Sequence, residues 1–438
     1  QNMINQIYKI TFVLGLSAGC TFSASAQQQP DSLSFQDVMA RVIQSHPSVK
    51  EAEEVLNGAK AKIELAKSAY LPTVDLNATY SRIGPVTKVT FPEFGTFQLN
   101  PYDNYNVGIN VNQTIYDFGK TSRSVDVENK KREINKISVD QIKQNLSMLV
   151  TNNYYTLVYI QNAIDIKNEE LLNLQNHLKT VQKKSETGSA TKYEILTTQV
   201  KISTIESQKY DLEASFRTQQ AVLNTLLGLP EETSHRVSTS LSTETFSAEE
   251  SSVIYAIEHR EEMKLAKEKT ELEHLNYSVI KSANNPVINA FGSAGFKNGY
   301  SPDLNQLKGN FVVGVGVKVP LFDAKRTKNN LQVSKSNLIS SEFETEIAKR
   351  KITNEVVEAQ SQIIAAKKKV EQFDIQLTHA MQAFDLAKVS YKTGVITNLD
   401  LLDSETAVSE SRLQLLKSKL DQLVCILKLK VAVGKHIY

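Results

Sequence analysis

Few residues in this chain could do chemistry, and the most suggestive are carboxylates set beside threonines. Asp400 and Asp403 stand three apart in "TNLDLLDSE", and Glu194 occupies the matching context "TKYEILTTQ". Two acids at that spacing share one face of a helix. There they can exchange protons, attract a cation or cap the helix. Thr191-x-x-Glu194 and Thr397-x-x-Asp400 fit the capping box, in which the threonine oxygen accepts a backbone N–H and the acid caps in return. Capping accounts for Glu194 in full and leaves Asp403 without a role. The seven histidines (46, 177, 235, 259, 274, 379 and 436) include no pair at metal-ligand spacing. No HExxH or phosphate-binding glycine loop occurs. His177 and His379 lie among charges on helical stretches and read as solvated. We therefore expect no catalytic residue, no metal and no cofactor.

The elements that would hold these acids are duplicated. Thr187-Gly188 matches Thr393-Gly394, Thr191 matches Thr397, Glu194 matches Asp400, and Leu196 matches Leu402, always 206 residues apart. Ile115-Tyr116-Asp117 and Leu321-Phe322-Asp323 keep the same offset, as do Gly228 and Gly434. Fainter echoes pair His46 with His259 and Pro72 with Pro286. An internal repeat found at the outset decides the reading of the fold. Two modules follow, 27–228 and 247–438, joined by a polar linker over 229–246.

Bulk composition narrows the partners. Fifty basic against 48 acidic residues leave a formal charge of +2, which points to no nucleic acid. Glycine (17) and proline (10) are scarce among 438 residues, favouring long uninterrupted elements. Residues 1–26 read as a secretory signal: Lys9, an apolar run from Ile10 to Ala18, then Ala24-Ser25-Ala26. A lipoprotein reading at Ser17-Ala18-Gly19-Cys20 competes with it. If Cys20 leaves with the signal, Cys425 is the sole cysteine and no intrachain disulfide can form. No apolar run beyond the signal reaches the ~18 residues of a membrane-spanning helix.

Each module reads as helix, strand, strand, long helix, helix. In the first, Phe35–Gln44 and Pro47–Ser68 are helical, and Pro47 suits a first turn. Over 117–186 no proline appears, and apolar residues recur at Val139, Ile142, Leu146, Leu149, Leu157, Ile160, Ile164, Leu171, Leu174, Leu178 and Val181. Their period near 3.5 marks supercoiled helices. Such a helix would reach about 105 Å, far beyond a globular domain. Helix 191–227 follows. The second module repeats the order with helices at 249–282, 323–392 and 397–433.

Four segments alternate as membrane strands do, at about 70–82, 104–116, 286–297 and 309–322. "LPTVDLNATYS" puts Val74, Leu76, Ala78 and Tyr80 opposite Thr73, Asp75, Asn77 and Thr79, and "FVVGVGVKV" alternates likewise. One apolar face, one polar face and aromatics near the ends fit a transmembrane barrel. A soluble antiparallel sheet with one solvated face is the plainer alternative. Four strands cannot close, because the smallest membrane barrels use about eight, so several copies must share one barrel. Tract 83–104 reads as an outer-surface loop.

These residues resemble the TolC-like outer-membrane efflux protein family over nearly all of the mature chain. The resemblance is carried by "LSFQDVMARVIQSHPSVKEAE", "ELAKSAYLPTVDLNATY", "NVNQTIYDFGKT" with its echo "VKVPLFDAKRT", and the two Thr-Gly turns. It implies an α+β, mostly α-helical fold: a homotrimeric channel-tunnel with a twelve-stranded β-barrel, four strands per chain, in outer-membrane lipid. Below the barrel it implies a long α-helical coiled-coil barrel in the periplasm. It further implies docking with a periplasmic adaptor and an inner-membrane pump, as the exit duct of a tripartite efflux or type I secretion system. In such a trimer Asp400 and Asp403 would set six carboxylates around the axis, matching the family's paired constriction aspartates. Tyr391 matches a tyrosine that holds the entrance shut, and Glu194 an acidic gate partner. Ile396 stands where some members carry an arginine, so that lock is absent or rebuilt. The turns Thr187, Gly188, Thr191, Thr393, Gly394 and Thr397 would meet the adaptor. The rival reading is an exported coiled-coil protein, structural or adhesive, without a pore.

Overall fold

A computed structural model describes residues 32–238 and 252–438. The signal and lipoprotein readings, and part of the linker, lie outside the described residues. The element order is α1 (Phe35–Ser45), α2 (Pro47–Lys67), β1 (Thr73–Arg82), β2 (Lys88–Phe91), β3 (Gly95–Gln98), β4 (Asp103–Tyr116), α3 (Lys120–Glu186) and α4 (Lys192–Leu227). The second half follows with α5 (Val253–His259), α6 (Glu261–Lys281), β5 (Val287–Lys297), β6 (Lys308–Lys318), α7 (Arg326–Lys392) and α8 (Asn398–Ala432). The two long helices, α3 and α7, have 67 residues each, about 100 Å of rod. Helices α2 and α4 both pack on α3, and α6 and α8 on α7. No helix among the described residues is long and apolar enough to cross a membrane.

Several boundaries differ from the sequence reading. Helices α3 and α7 begin at Lys120 and Arg326 rather than at 117 and 323. The intervening residues form a left-handed turn, with positive φ at Phe118, Gly119, Ala324 and Lys325. In the first copy Asp117 accepts hydrogen bonds from the backbone N–H groups of Gly119, Lys120 and Thr121. The expected helix 249–282 is two helices, broken at Arg260, whose backbone is extended (φ −66°, ψ 136°). The first module breaks its helix where proline announces it, at His46-Pro47. The second has no proline there, and a tertiary contact makes the break: the buried Arg260 guanidinium holds Glu262 and Glu355 of α7. Strand β6 stops at Lys318 instead of 322, just ahead of Pro320, which cannot donate to a ladder.

The four main strands form one antiparallel sheet in the order β1-β4-β5-β6. Tract 83–104 carries its own hairpin, β2–β3, separate from that sheet. Register aligns Leu76 with Ile109, Ile109 with Ala294, and Ala294 with Phe311. Alternation then gathers Val74, Leu76, Val107, Ile109, Phe296, Phe311, Val313 and Val315 on one continuous face. That face is bare: Leu76 is 74 % exposed, and Phe311 and Val313 are each 80 % exposed. In water so large an apolar patch would drive association or aggregation. At the centre of the sheet Gly295 meets Gly108, where an added Cβ would come 2.2 Å from the Val107 carbonyl oxygen. Only glycine fits there.

Burial is concentrated in three clusters along the rods. The largest joins α1, α3, α4 and α8 through Val42, Val150, Tyr154, Leu157, Leu223 and Leu423. A second joins α5, α6, α7 and α8 around Ile352 and Val356. The third, of Leu171, Leu174, Ile205 and Leu402, ties α3, α4 and α8 together. Of the periodic apolar positions on α3, Leu149 stays 50 % exposed within one chain.

Candidate functional site

The α3–α4 and α7–α8 turns lie at the same end of the molecule, joined by contacts between their helices. Each long helix ends in a left-handed glycine, Gly188 (φ +77°) or Gly394 (φ +76°), with open space around the position a Cβ would take. Behind each glycine a backbone N–H reaches back to close the last turn, from Ser189 to Lys184 O (2.7 Å) and from Val395 to Ser390 O (2.9 Å). The next helix opens with a complete capping box. Thr191 Oγ1 accepts from Glu194 N at 3.3 Å, and Thr397 Oγ1 accepts from Asp400 N at 3.2 Å. In return Asp400 Oδ2 accepts from Thr397 N and from its hydroxyl, at 2.9 and 2.6 Å. Those donors hold the exposed Asp400 carboxyl below the usual carboxylate range, so it stays ionised as a cap.

The carboxylates are used differently. Glu194 caps Thr191 with Oε1 at 3.3 Å, while its Oε2 accepts from the Tyr391 hydroxyl at 3.1 Å. Capping therefore does not explain Glu194 in full, and the longer side chain serves two helices. Burial, and then the Glu194 charge, push the Tyr391 phenol up to about 12. It remains a neutral donor at any working pH. Asp403 is exposed, and no hydrogen bond or ion pair to it occurs among the described residues. Ile396 is half-buried and brings no charge to the turn.

Two residues of this site escaped the sequence reading. His177, taken there as solvated, is half-buried, and its Nε2 lies 2.6 Å from Asn398 Oδ1. Asn398 is 4 % exposed and donates to Thr198 Oγ1 at 3.1 Å, with longer contacts of 3.4 Å to Glu194 O and Thr197 Oγ1. The His177 ring also leans on Tyr391 (centroids 5.5 Å apart), and Lys184 Nζ sits 4.6 Å over the same tyrosine ring. Nothing local marks such residues, since His177 and Asn398 are 221 positions apart. A polar residue at the first position of a capped helix normally faces water.

One to three turns further into the bundle, α3, α7 and α8 border a half-open cavity of about 180 Å³ that Glu170, Asn173, Lys388, Glu405 and Ser409 help to line. Glu170 is buried. Its Oε2 accepts from Lys167 (2.8 Å) and Ser409 (2.5 Å), and its Oε1 has no partner. Burial, with the Glu170 charge second, pushes Glu405 up to about 7. No group of histidine, cysteine and acidic residues able to hold a metal occurs among the described residues.

An open sheet with a bare apolar face, on two hairpins of 100 Å rods closed by matching turns, is a specific architecture. The outer membrane efflux protein family model matches residues 38–229 and 255–435, one match in each module. The chain belongs to the outer membrane efflux protein family. The outer membrane protein TolC of Vibrio cholerae is 19 % identical over 402 residues, covering 89 % of this chain and 88 % of that protein. The alkaline protease secretion protein AprF of Pseudomonas aeruginosa is 21 % identical over 408 residues, covering 90 % and 82 %. Among solved structures the outer membrane protein VceC of Vibrio cholerae superposes with a TM-score of 0.78 at 16 % identity, covering 92 % of this chain and 97 % of that one. That likeness shows the fold. This efflux protein accordingly resides in the outer membrane and works in export, with its helices in the periplasm. A pore-less adhesive rod is not supported.

Proposed function

We propose that three copies of this chain pool their sheets into a twelve-stranded barrel and form the passive exit duct of a tripartite efflux or type I secretion system. The observation that carries this reading is the four-stranded sheet with two unpaired edges, β1 and β6, and an exposed apolar face. Unpaired strand edges are not tolerated in hydrocarbon, so the sheet must close with others. Tilted strands of about ten residues span the bilayer. The half-exposed Leu149 and the exposed Phe343, Ile347 and Ile364 of α7 are covered when rods of neighbouring copies meet.

At the far end the two turns per chain become six around the axis. Asp400 and Asp403 line the constriction there and favour cations, as acidic rings do in cation channels. The Tyr391–Glu194 bond holds the second hairpin against the first and keeps the mouth narrow. The surface formed by Thr187, Gly188, Thr191, Thr393, Gly394 and Thr397 receives the tips of a periplasmic adaptor, which links the duct to an inner-membrane pump. The protein performs no chemistry, uses no cofactor and binds no nucleic acid.

Native mass spectrometry in detergent and planar-bilayer recording test this reading. The expected outcome is a trimer giving discrete, cation-preferring channels. A monomer that stays in solution without detergent would overturn it. Adaptor crosslinking undiminished in a Gly394→Trp variant would remove the docking assignment alone.

A further inference from the structure

We propose that Asn398 and His177 are positioning residues of the gate, a latch that holds the first turn of α8 on α3 and α4 and so sets where Asp400 and Asp403 stand. The inference rests on the duct reading and deepens it. Asn398 is the first residue of α8, with Asp400 two positions on and Asp403 five. Its amide is fully committed. The nitrogen faces the Glu194 carbonyl and the Thr197 and Thr198 hydroxyls, all on α4, and the oxygen faces His177 of α3. The Glu194 carbonyl can only accept, which fixes the amide orientation. Asn398 Oδ1 therefore accepts, and His177 Nε2 must carry a proton. A neutral Nε2–H tautomer and an imidazolium both meet that demand, so the latch holds whether or not the histidine is charged.

Thr198 completes the junction. It is fully buried and donates to Glu194 O at 2.8 Å, leaving its lone pairs for Asn398. With Tyr391 on α7 bonded to Glu194, one cluster joins α3, α4, α7 and α8 at the level of the capping boxes. Widening the mouth moves the α7–α8 hairpin away from α3–α4, and at the level of the capping boxes the polar contacts that must part are those of Asn398 and Tyr391. Parting the hairpins exchanges these bonds for bonds to water, which leaves the closed state a net preference of about one hydrogen bond. The Thr397–Asp400 cap lies within α8 and survives opening. The latch is thus separate from the helix start it controls.

Single-channel recording of the purified full-length protein tests this, with thermal melting of each variant measured alongside. Asn398→Ala and His177→Ala should each raise the open population by roughly two- to tenfold, the equivalent of one net hydrogen bond. The double variant should not appreciably exceed Asn398→Ala, because that substitution already removes the bond to His177 along with the contacts to α4. His177→Gln, which restores a donor, should return conductance toward wild type. Melting that falls in Asn398→Ala and His177→Ala with conductance unchanged would overturn the latch. So would additive effects of the two. Asp403→Ala serves as an independent control: a loss of cation preference there with silent Asn398→Ala and His177→Ala sinks the latch and leaves the duct standing. Wild-type protein that forms no channel sinks both.

Discussion

The two hairpin turns share a backbone and differ in what they hold. Gly188 and Gly394 have the same φ within one degree, and both following helices open with a complete capping box. Around that frame nearly every polar contact is unique to one copy. Asn398 is buried where its counterpart, Lys192, is exposed, and Tyr391 replaces Ser185. Asp403 replaces Thr197, and Glu405 replaces Gln199. Glu194 and Asp400 are both caps, but only the longer Glu194 has a second oxygen that reaches across to Tyr391. Duplication preserved what the backbone needs, since glycine and a threonine–acid pair are the local answers to ending one helix and starting the next. It left free the side chains that join one hairpin to the other.

That contrast can be broken or sharpened by paired substitutions. The largest difference is expected between Tyr391→Phe and Ser185→Ala. The first should raise the open probability roughly two- to tenfold in bilayer recordings, and the second should leave it unchanged. Equal effects would mean that the cross-hairpin bond does not distinguish the turns. Next come the glycines, whose shared conformation predicts equal costs. Gly188→Val and Gly394→Val should each destabilise by about 1–2 kcal/mol in denaturant unfolding, because a branched side chain is strained at positive φ. Removing either threonine oxygen should cost about 1 kcal/mol, and Thr191→Ala and Thr397→Ala should agree within error. Unequal values would show that one cap is subordinate to contacts outside its own turn.

A smaller, pH-dependent difference is expected deeper in the bundle. Glu405 is held above its ordinary value of 4.5, at about 7, and faces Glu170 and Asn173 of α3, Lys388 of α7 and Lys201 of α4. A carboxyl raised in the folded state contributes stability that is complete below about 4.5 and is lost as pH rises through about 7. Melting temperature should therefore fall by a few degrees between about pH 5 and pH 8, and Glu405→Gln should flatten that slope. Its counterpart change, Gln199→Glu, places the acid on an exposed face of α4 and should create no such slope. The smallest effect is expected at Lys192→Ala, within about 0.5 kcal/mol of wild type, as for other exposed positions without partners.

The sequence made some elements legible and hid others for identifiable reasons. The long helices, the alternating strands and the capping boxes were readable because each is set by residues within a few positions of one another. The break at Arg260 was not, since its cause is Glu355, 95 residues on. His177 looked solvated because its partner lies in the other module. Leu149 fitted a buried stripe by spacing, yet within one chain it stays half exposed.

Taken alone, the sequence determined that the chain is a duplicated unit of rods and half-apolar strands, since periodicity and caps are local properties. Tertiary structure decided that β4 pairs with β5, which joins the two modules into one sheet, and that Asn398 and Tyr391 bind one hairpin to the other. Those choices depend on side chains meeting across some 200 residues. No periodic pattern encodes such meetings, because only the packed helices and paired strands bring the partners within reach.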